Sequence, residues 1–140
     1  MIRPLDLADV EAAAALWEVC DLTRPWNDPR TDARLALTGP DSVILGAFDG
    51  ERLAGTVMVG FDGHRGWVYY LAVDPARRKQ GQGRALMRAA EDWLTARGAP
   101  KIQLMLRTDN TQAAGFYVAI GYAEQAVSVW GLRLDAAPLP

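Results

Sequence analysis

The sequence is poor in the residues that staple chains, hold metals or cross membranes. It has a single cysteine, Cys20, and a single histidine, His64, in 140 residues. One thiol forms no internal disulfide, which points to a reducing compartment rather than a disulfide-built secreted domain. One His and one Cys also fall short of the usual ligand sets for a metal, so none is expected. The longest apolar runs, such as Val68–Val73, are far shorter than the roughly 20 residues of a membrane helix. Charge of one sign is not in excess: 15 basic and 17 acidic residues leave a net −2. That balance predicts neither nucleic acid nor a membrane surface as partner. Met1-Ile2-Arg3-Pro4 leads into a helical pattern with acidic residues, unlike a signal peptide, and a cytoplasmic location is expected. No repeat, low-complexity tract or linker divides the chain, and its length suits one domain over residues 1–140.

What is present is an ordered alternation of strand and helix signals. Ile2–Pro4 reads as a short strand. Asp6 caps a helix over Leu7–Cys20, on which Val10, Ala13, Ala14, Trp17 and Cys20 recur at helical spacing. Thr23–Pro29 is a loop, and Asp28-Pro29 opens a second helix that ends before Gly39-Pro40. Ser42–Phe48 and Arg52–Phe61 are strands joined at Asp49-Gly50, and Trp67–Val73 follows a second turn at Asp62–Gly66. A long helix runs from Gln82 to Arg97 and closes at Gly98. Lys101–Arg107 reads as a strand, Thr111–Ile120 as a helix, and Tyr122–Gln125 and Val127–Leu134 as two last strands. The order β-α-α-β-β-β-α-β-α-β-β predicts a mixed α/β domain with a parallel, right-handed crossover around the long helix.

The chemistry concentrates in Leu71–Leu86, L-A-V-D-P-A-R-R-K-Q-G-Q-G-R-A-L. A strand ends, a basic loop follows, and Gly81-x-Gly83 opens a helix. Glycines admit conformations closed to other residues and let a ligand approach the backbone. The helix start adds unpaired N–H groups and a positive dipole end. With Arg77, Arg78, Lys79 and Arg84 alongside, the segment specifies a pyrophosphate-like anion. A P-loop would require Gly-Lys-Ser/Thr where Gly83-Arg84-Ala85 stands. A dinucleotide fold would place its first Gly at the strand end and an acidic residue ~20 positions on, and this chain does neither.

Arg78-x-x-Gly81-x-Gly83 after L-A-V-D-P, with Asp109-Asn110-Thr111, Gly115-Phe116-Tyr117 and Gly121-Tyr122 downstream, resembles the GNAT family of N-acetyltransferases over nearly the whole chain. Trp17 to Pro29, Gly55-Thr56-Val57-Met58 and Asp62-Gly63-His64-Arg65-Gly66 are similar to its YpeA-type branch. The resemblance implies a mostly antiparallel mixed sheet with a central, splayed parallel strand pair and flanking helices, and acetyl-CoA as co-substrate. It implies that backbone groups of Leu71, Ala72 and Val73 bind the pantetheine arm, with one backbone N–H there, of Ala72 or Val73, facing the thioester oxygen. It assigns the pyrophosphate to Arg78, Lys79, Gln80, Gly81, Gln82, Gly83 and Arg84. Asn110 contacts the cofactor, and Tyr117 donates a proton to the departing thiolate.

The amine must arrive neutral, so a proton acceptor is needed. Many members carry a Glu where this chain has Met105. Candidates are a water chain held by Tyr69 or Tyr70, ranked first, then His64, Asp62 or Asp28. By family geometry the Thr23–Pro29 loop lies over the acceptor pocket, with Arg24 to clamp a carboxylate and Trp26 to lid an aliphatic or cationic chain. Arg24, Trp26, Asp28, His64 and Tyr69 are therefore the substrate-side candidates. A small amine such as an amino acid is favoured over a protein N-terminus or lysine. The competing class is a non-catalytic acyl-CoA-binding or regulatory module. Cys20, Trp17 and Trp93 read as core residues. The apolar alternation of Val127–Leu134 leaves a homodimer open.

Overall fold

The computed structural model describes residues 1–135. Two compact units divide the chain, Met1–Leu104 and Met105–Pro140. The first contains one five-stranded sheet in the order β1-β2-β3-β4-β5. Its strands are β1 (Ile2–Pro4), β2 (Ser42–Asp49), β3 (Arg52–Phe61), β4 (Gly66–Val73) and β5 (Ile102–Leu104), and its helices are α1 (Val10–Val19), α2 (Pro29–Thr38) and α3 (Gln82–Ala96). All pairings are antiparallel except β4 with β5. This is the mixed, mostly antiparallel fold expected.

Local chemistry explains most boundaries. Asp6 accepts from the Ala8 N–H and Asp9 accepts from the Asp6 N–H, so the first helix begins as a capped 3-10 turn at Leu7–Asp9 before α1 proper. Asp28 caps α2 through the Arg30 N–H, with Pro29 in the first turn. Gly50 (φ +61°) makes the β2–β3 turn.

The sheet carries helices on both faces. Trp17 of α1 donates its indole N–H to the Thr56 hydroxyl at 2.8 Å, whereas a β-carbon on the neighbouring Gly55 would meet Leu86 of α3. Successive strand residues point to opposite faces, so α1 and α3 flank the sheet on opposite sides. On the α1 and α2 side the core joins Leu5, Val10, Leu16, Trp17, Ala33 and Ile44. On the α3 side Leu86, Met87, Ala90 and Leu94 are buried. Each large apolar side chain so buried contributes roughly 1.5–3 kcal/mol.

Three expectations need correction. β5 stops at Leu104 rather than reaching Arg107, and Met105 to Arg107 are exposed. Tyr122–Gln125 and Val127–Leu134 form no strand among the described residues. Alternation reports which face a residue prefers, but a strand also needs a partner edge. The chain there makes short-range bonds instead, such as Trp130 Nε1 to Ser128 Oγ at 2.9 Å and Arg133 to Asp135. Without those two strands the parallel pair lies at one end of the strand order, not at its centre. The second unit contributes α4 (Thr111–Ala119). Among the described residues no helix is long and apolar enough to cross a membrane.

Candidate active site

β4 is the strand on which the site is built. Its parallel pairing with β5 covers Gly66, Trp67 and Val68, yet β4 continues to Val73. From Tyr69 onward its outer edge has no strand partner among the described residues, because β5 ends at Leu104. On the inner edge, Met58 pairs Tyr69 and Thr56 pairs Ala72. Val57 therefore faces both Tyr70 and Leu71, which is a β-bulge.

Tyr70 sits in that bulge at φ +51°, a left-handed conformation that is rare for a bulky residue and costs on the order of 1–3 kcal/mol. Its surroundings hold it. The ring stacks on Trp17 with centroids 3.8 Å apart and planes 13° from parallel. The Tyr70 hydroxyl donates to Asp32 Oδ2 at 2.7 Å. Its carbonyl accepts from the Thr56 hydroxyl at 2.9 Å. Burial first, then the bond to Asp32, pushes the Tyr70 phenol far above its usual range.

At the end of β4 the Val73 carbonyl accepts from Cys20 Sγ at 3.4 Å and from Arg78 Nε at 3.2 Å. Asp74 then accepts from the Ala76 N–H at 2.9 Å and from Arg52 Nη2 at 2.7 Å. The Ala76 amide and the Arg52 guanidinium hold its carboxyl below the usual carboxylate range. The basic loop follows. Arg77 pairs with Asp49, while Arg78, Lys79, Gln80 and Arg84 are exposed. Lys79 (φ +65°) and Gly81 (φ +77°) turn the chain into α3, which has no side-chain cap. Gln82 and Gly83 form its first turn, where backbone N–H groups lack helical partners. The Gln82 Oε1 is buried and accepts no hydrogen bond.

The substrate-side residues do not converge. Arg24 turns inward on its own loop, with Nη1 donating to the Asp21 and Thr23 carbonyls at 2.9 and 2.7 Å. Trp26 is half-buried. Asp28 is spent on the α2 cap, where it also accepts from Thr31 Oγ1 at 2.9 Å. The Thr31 hydroxyl and the Arg30 amide lower its carboxyl. His64 is exposed in the β3–β4 turn, its backbone N–H bound to Asp62. Tyr69 alone of the five lines a shallow cavity of about 310 Å³, shared with Pro40, Asp41, Phe61, Asp62 and Trp67. It is 43 % exposed, and partial burial pushes its phenol up.

In the second unit, Asn110 Oδ1 caps α4 by accepting from the Ala113 N–H at 3.1 Å. Tyr117 is buried between the edges of Phe116 and Tyr122, at 5.1 and 5.8 Å between centroids. Desolvation pushes its hydroxyl up to about 12, so it is protonated at neutral pH. Among the described residues no cluster of His, Cys, Asp and Glu could hold a metal ion.

Sequence reasoning missed Asp32 and Thr56. Asp32 belongs to no motif, Thr56 stands in the Gly55–Met58 segment without a role of its own, and both act on Tyr70 from other elements.

Comparison with known proteins bears on the family and the fold. The acetyltransferase (GNAT) family model matches residues 12–122. An acetyltransferase of Yersinia enterocolitica is 42% identical over 133 residues, covering 95% of this chain and 94% of that protein. Among solved structures, the fold matches AAC(6')-Iy in complex with a bisubstrate analogue of CoA and acetylneamine, with a TM-score of 0.81 at 17% identity over 95% and 97% of the two chains. It also matches the ribosomal-protein-S18-alanine N-acetyltransferase from Escherichia coli, with a TM-score of 0.78 at 24% identity over 89% and 78%. The chain thus belongs to the acetyltransferase (GNAT) family, whose co-substrate is acetyl-CoA.

Proposed function

We propose that this enzyme transfers the acetyl group of acetyl-CoA directly to the primary amine of a small molecule, with an amino acid as the favoured acceptor. The observation that carries the reading is the end of the β4–β5 pairing at Val68, which leaves the bulged remainder of β4 leading into a basic loop and an uncapped helix start. The residues present fit the co-substrate. Leu71, Ala72 and Val73 offer main-chain groups to an extended amide arm, with the Val73 carbonyl already filled by Cys20 and Arg78. The orphaned Gln82 Oε1 is an acceptor that a ligand N–H would satisfy. Gly81, Gln82, Gly83 and Arg84 present helix-start amides to a pyrophosphate, and Arg78, Lys79 and Gln80 complete its basic approach.

Acetyl-CoA supplies a thioester that an amine attacks directly. A main-chain N–H of Ala72 or Val73, just past the bulge, stabilises charge at the acyl oxygen. Tyr117, held protonated by burial, returns a proton to the thiolate, and Asn110 joins the cofactor-binding set. The amine loses its proton through water at Tyr69, because the Tyr70 hydroxyl is already given to Asp32. Asp28, Asp62 and His64 serve loop and turn structure. Arg24, with Nη1 anchored, has its guanidinium plane fixed for an acceptor carboxylate, and Trp26 flanks it in the same loop. The family match spans both compact units, which supports one catalytic domain over the chain.

The test is thiol release from acetyl-CoA with amino acids, diamines, aminoglycosides and peptides as acceptors. Turnover with small amines, and an Arg24→Ala variant whose KM rises for amino acids only, is the expected result. Turnover with peptides alone would overturn the small-molecule reading in favour of protein N-terminal or lysine acetylation. Self-association through residues 127–134 is proposed from the exposure of Val127, Val129 and Trp130. Sedimentation of the intact chain against Trp130→Glu should show a dimer becoming a monomer.

A further inference from the structure

We propose that Asp32 is a positioning residue for acetyl transfer, holding the β4 bulge in its working conformation through the hydroxyl of Tyr70. The inference rests on the acetyl-transfer reading above, in which the strand edge that this bulge sets, Leu71 to Val73, faces the thioester.

A bulky residue at positive φ persists only where its neighbours over-determine it. Three contacts grip Tyr70 from three elements. Trp17 of α1, fully buried, stacks on the ring. Thr56 of β3 holds the carbonyl and is itself fixed by the Trp17 indole. Asp32 of α2 takes the hydroxyl. The first two belong to a buried core and have no alternative arrangement to offer. Asp32 is different. It is half-buried on a helix whose start is set by Asp28, directly after the Thr23–Pro29 loop. Asp28 and Asp32 are one turn apart, so a displacement of the acceptor-side loop reaches the ring of Tyr70 through a single rigid helical turn. Tyr70 stays protonated and donates to Asp32 throughout the working range. The interaction therefore needs an acceptor at position 32, not a base.

The experiment compares Asp32→Ala, Asp32→Asn and Tyr70→Phe in thiol-release kinetics, coenzyme A calorimetry and thermal melting. Wild-type turnover comes first, because its absence would defeat the acetyl-transfer reading and not this one. With the wild type active, Asp32→Ala and Tyr70→Phe are each expected to lower kcat on the order of ten- to a hundredfold, the scale of a misplaced reacting geometry. Coenzyme A affinity should fall by much less than kcat, because the basic loop that takes the pyrophosphate is untouched. Asp32→Asn keeps an oxygen acceptor and should return kcat to within about threefold of wild type. The double variant Asp32→Ala/Tyr70→Phe should be no slower than either single, since both remove one interaction. Wild-type kcat in both Asp32→Ala and Tyr70→Phe would overturn the proposal. So would an Asp32→Asn enzyme as slow as Asp32→Ala, which would make the carboxylate a proton acceptor instead. If Asp32→Ala does not fold, Tyr70→Phe and Asp32→Asn still decide the question.

Discussion

The two halves of β4 are one uninterrupted strand with opposite fates. Gly66 to Val68 is paired on both sides, by β3 and by β5. Among the described residues Tyr69 to Val73 is paired on one side only, and that side is bulged. The first half is held by main-chain ladders and by packing on Leu94. The second replaces the missing ladder with side chains from three other elements: Trp17, Asp32 and Thr56 on Tyr70, then Cys20 on Val73. A strand edge can thus be kept open for a ligand without fraying, provided tertiary contacts do the work of the absent neighbour.

The comparison can be broken at its rigid end first. A β-carbon on Gly66 collides with Leu94, so Gly66→Val is expected to cost about 1–3 kcal/mol by overpacking. Denaturant unfolding should show that loss while coenzyme A affinity in the folded fraction is retained. The open end gives the converse. A side chain at Gly81 meets nothing within 4 Å, but the backbone there has φ +77°. Gly81→Val should lower coenzyme A affinity about tenfold, near 1.4 kcal/mol, with a smaller change in melting temperature. Calorimetry set beside thermal unfolding separates the two.

The smallest effect is at the junction. Asp74 has a folded-state pKa below its ordinary value, through the Ala76 amide and then Arg52. A depressed carboxylate adds stability above its unfolded pKa and loses it as pH falls through the folded one. Wild type should therefore lose stability below about pH 4 in part through Asp74. Asp74→Asn should be less stable at pH 7 and show a shallower acid limb in pH-dependent melting.

Much of this was readable from residues. The β2–β3 turn announces itself at Asp49-Gly50, because a left-handed turn position favours glycine. Gly81 does the same for the loop before α3, and the spacing of Leu86, Ala90 and Leu94 gives the buried face of that helix. The bulge was not readable. Tyrosine is an ordinary strand residue, and nothing in V-Y-Y-L-A-V marks Tyr70 as left-handed. Asp32 was hidden for a related reason: it meets Tyr70 across 38 positions, and a lone aspartate on a short helix looks like solvated surface. Residues 122–134 misled in the other direction, since their alternation was real but no ladder formed on it.

The parallel register of β4 and β5 also bears on the order of assembly. The β2–β3–β4 meander closes through short turns, whereas Gly66 meets Ile102 across 36 positions that include α3. Closing that longer segment carries the larger entropic cost. The meander should become protected in pulse-labelled amide exchange before the parallel pair does. The open edge of β4, which begins where that last pairing ends, is thus a late product of folding, and its appearance marks completion of the native sheet.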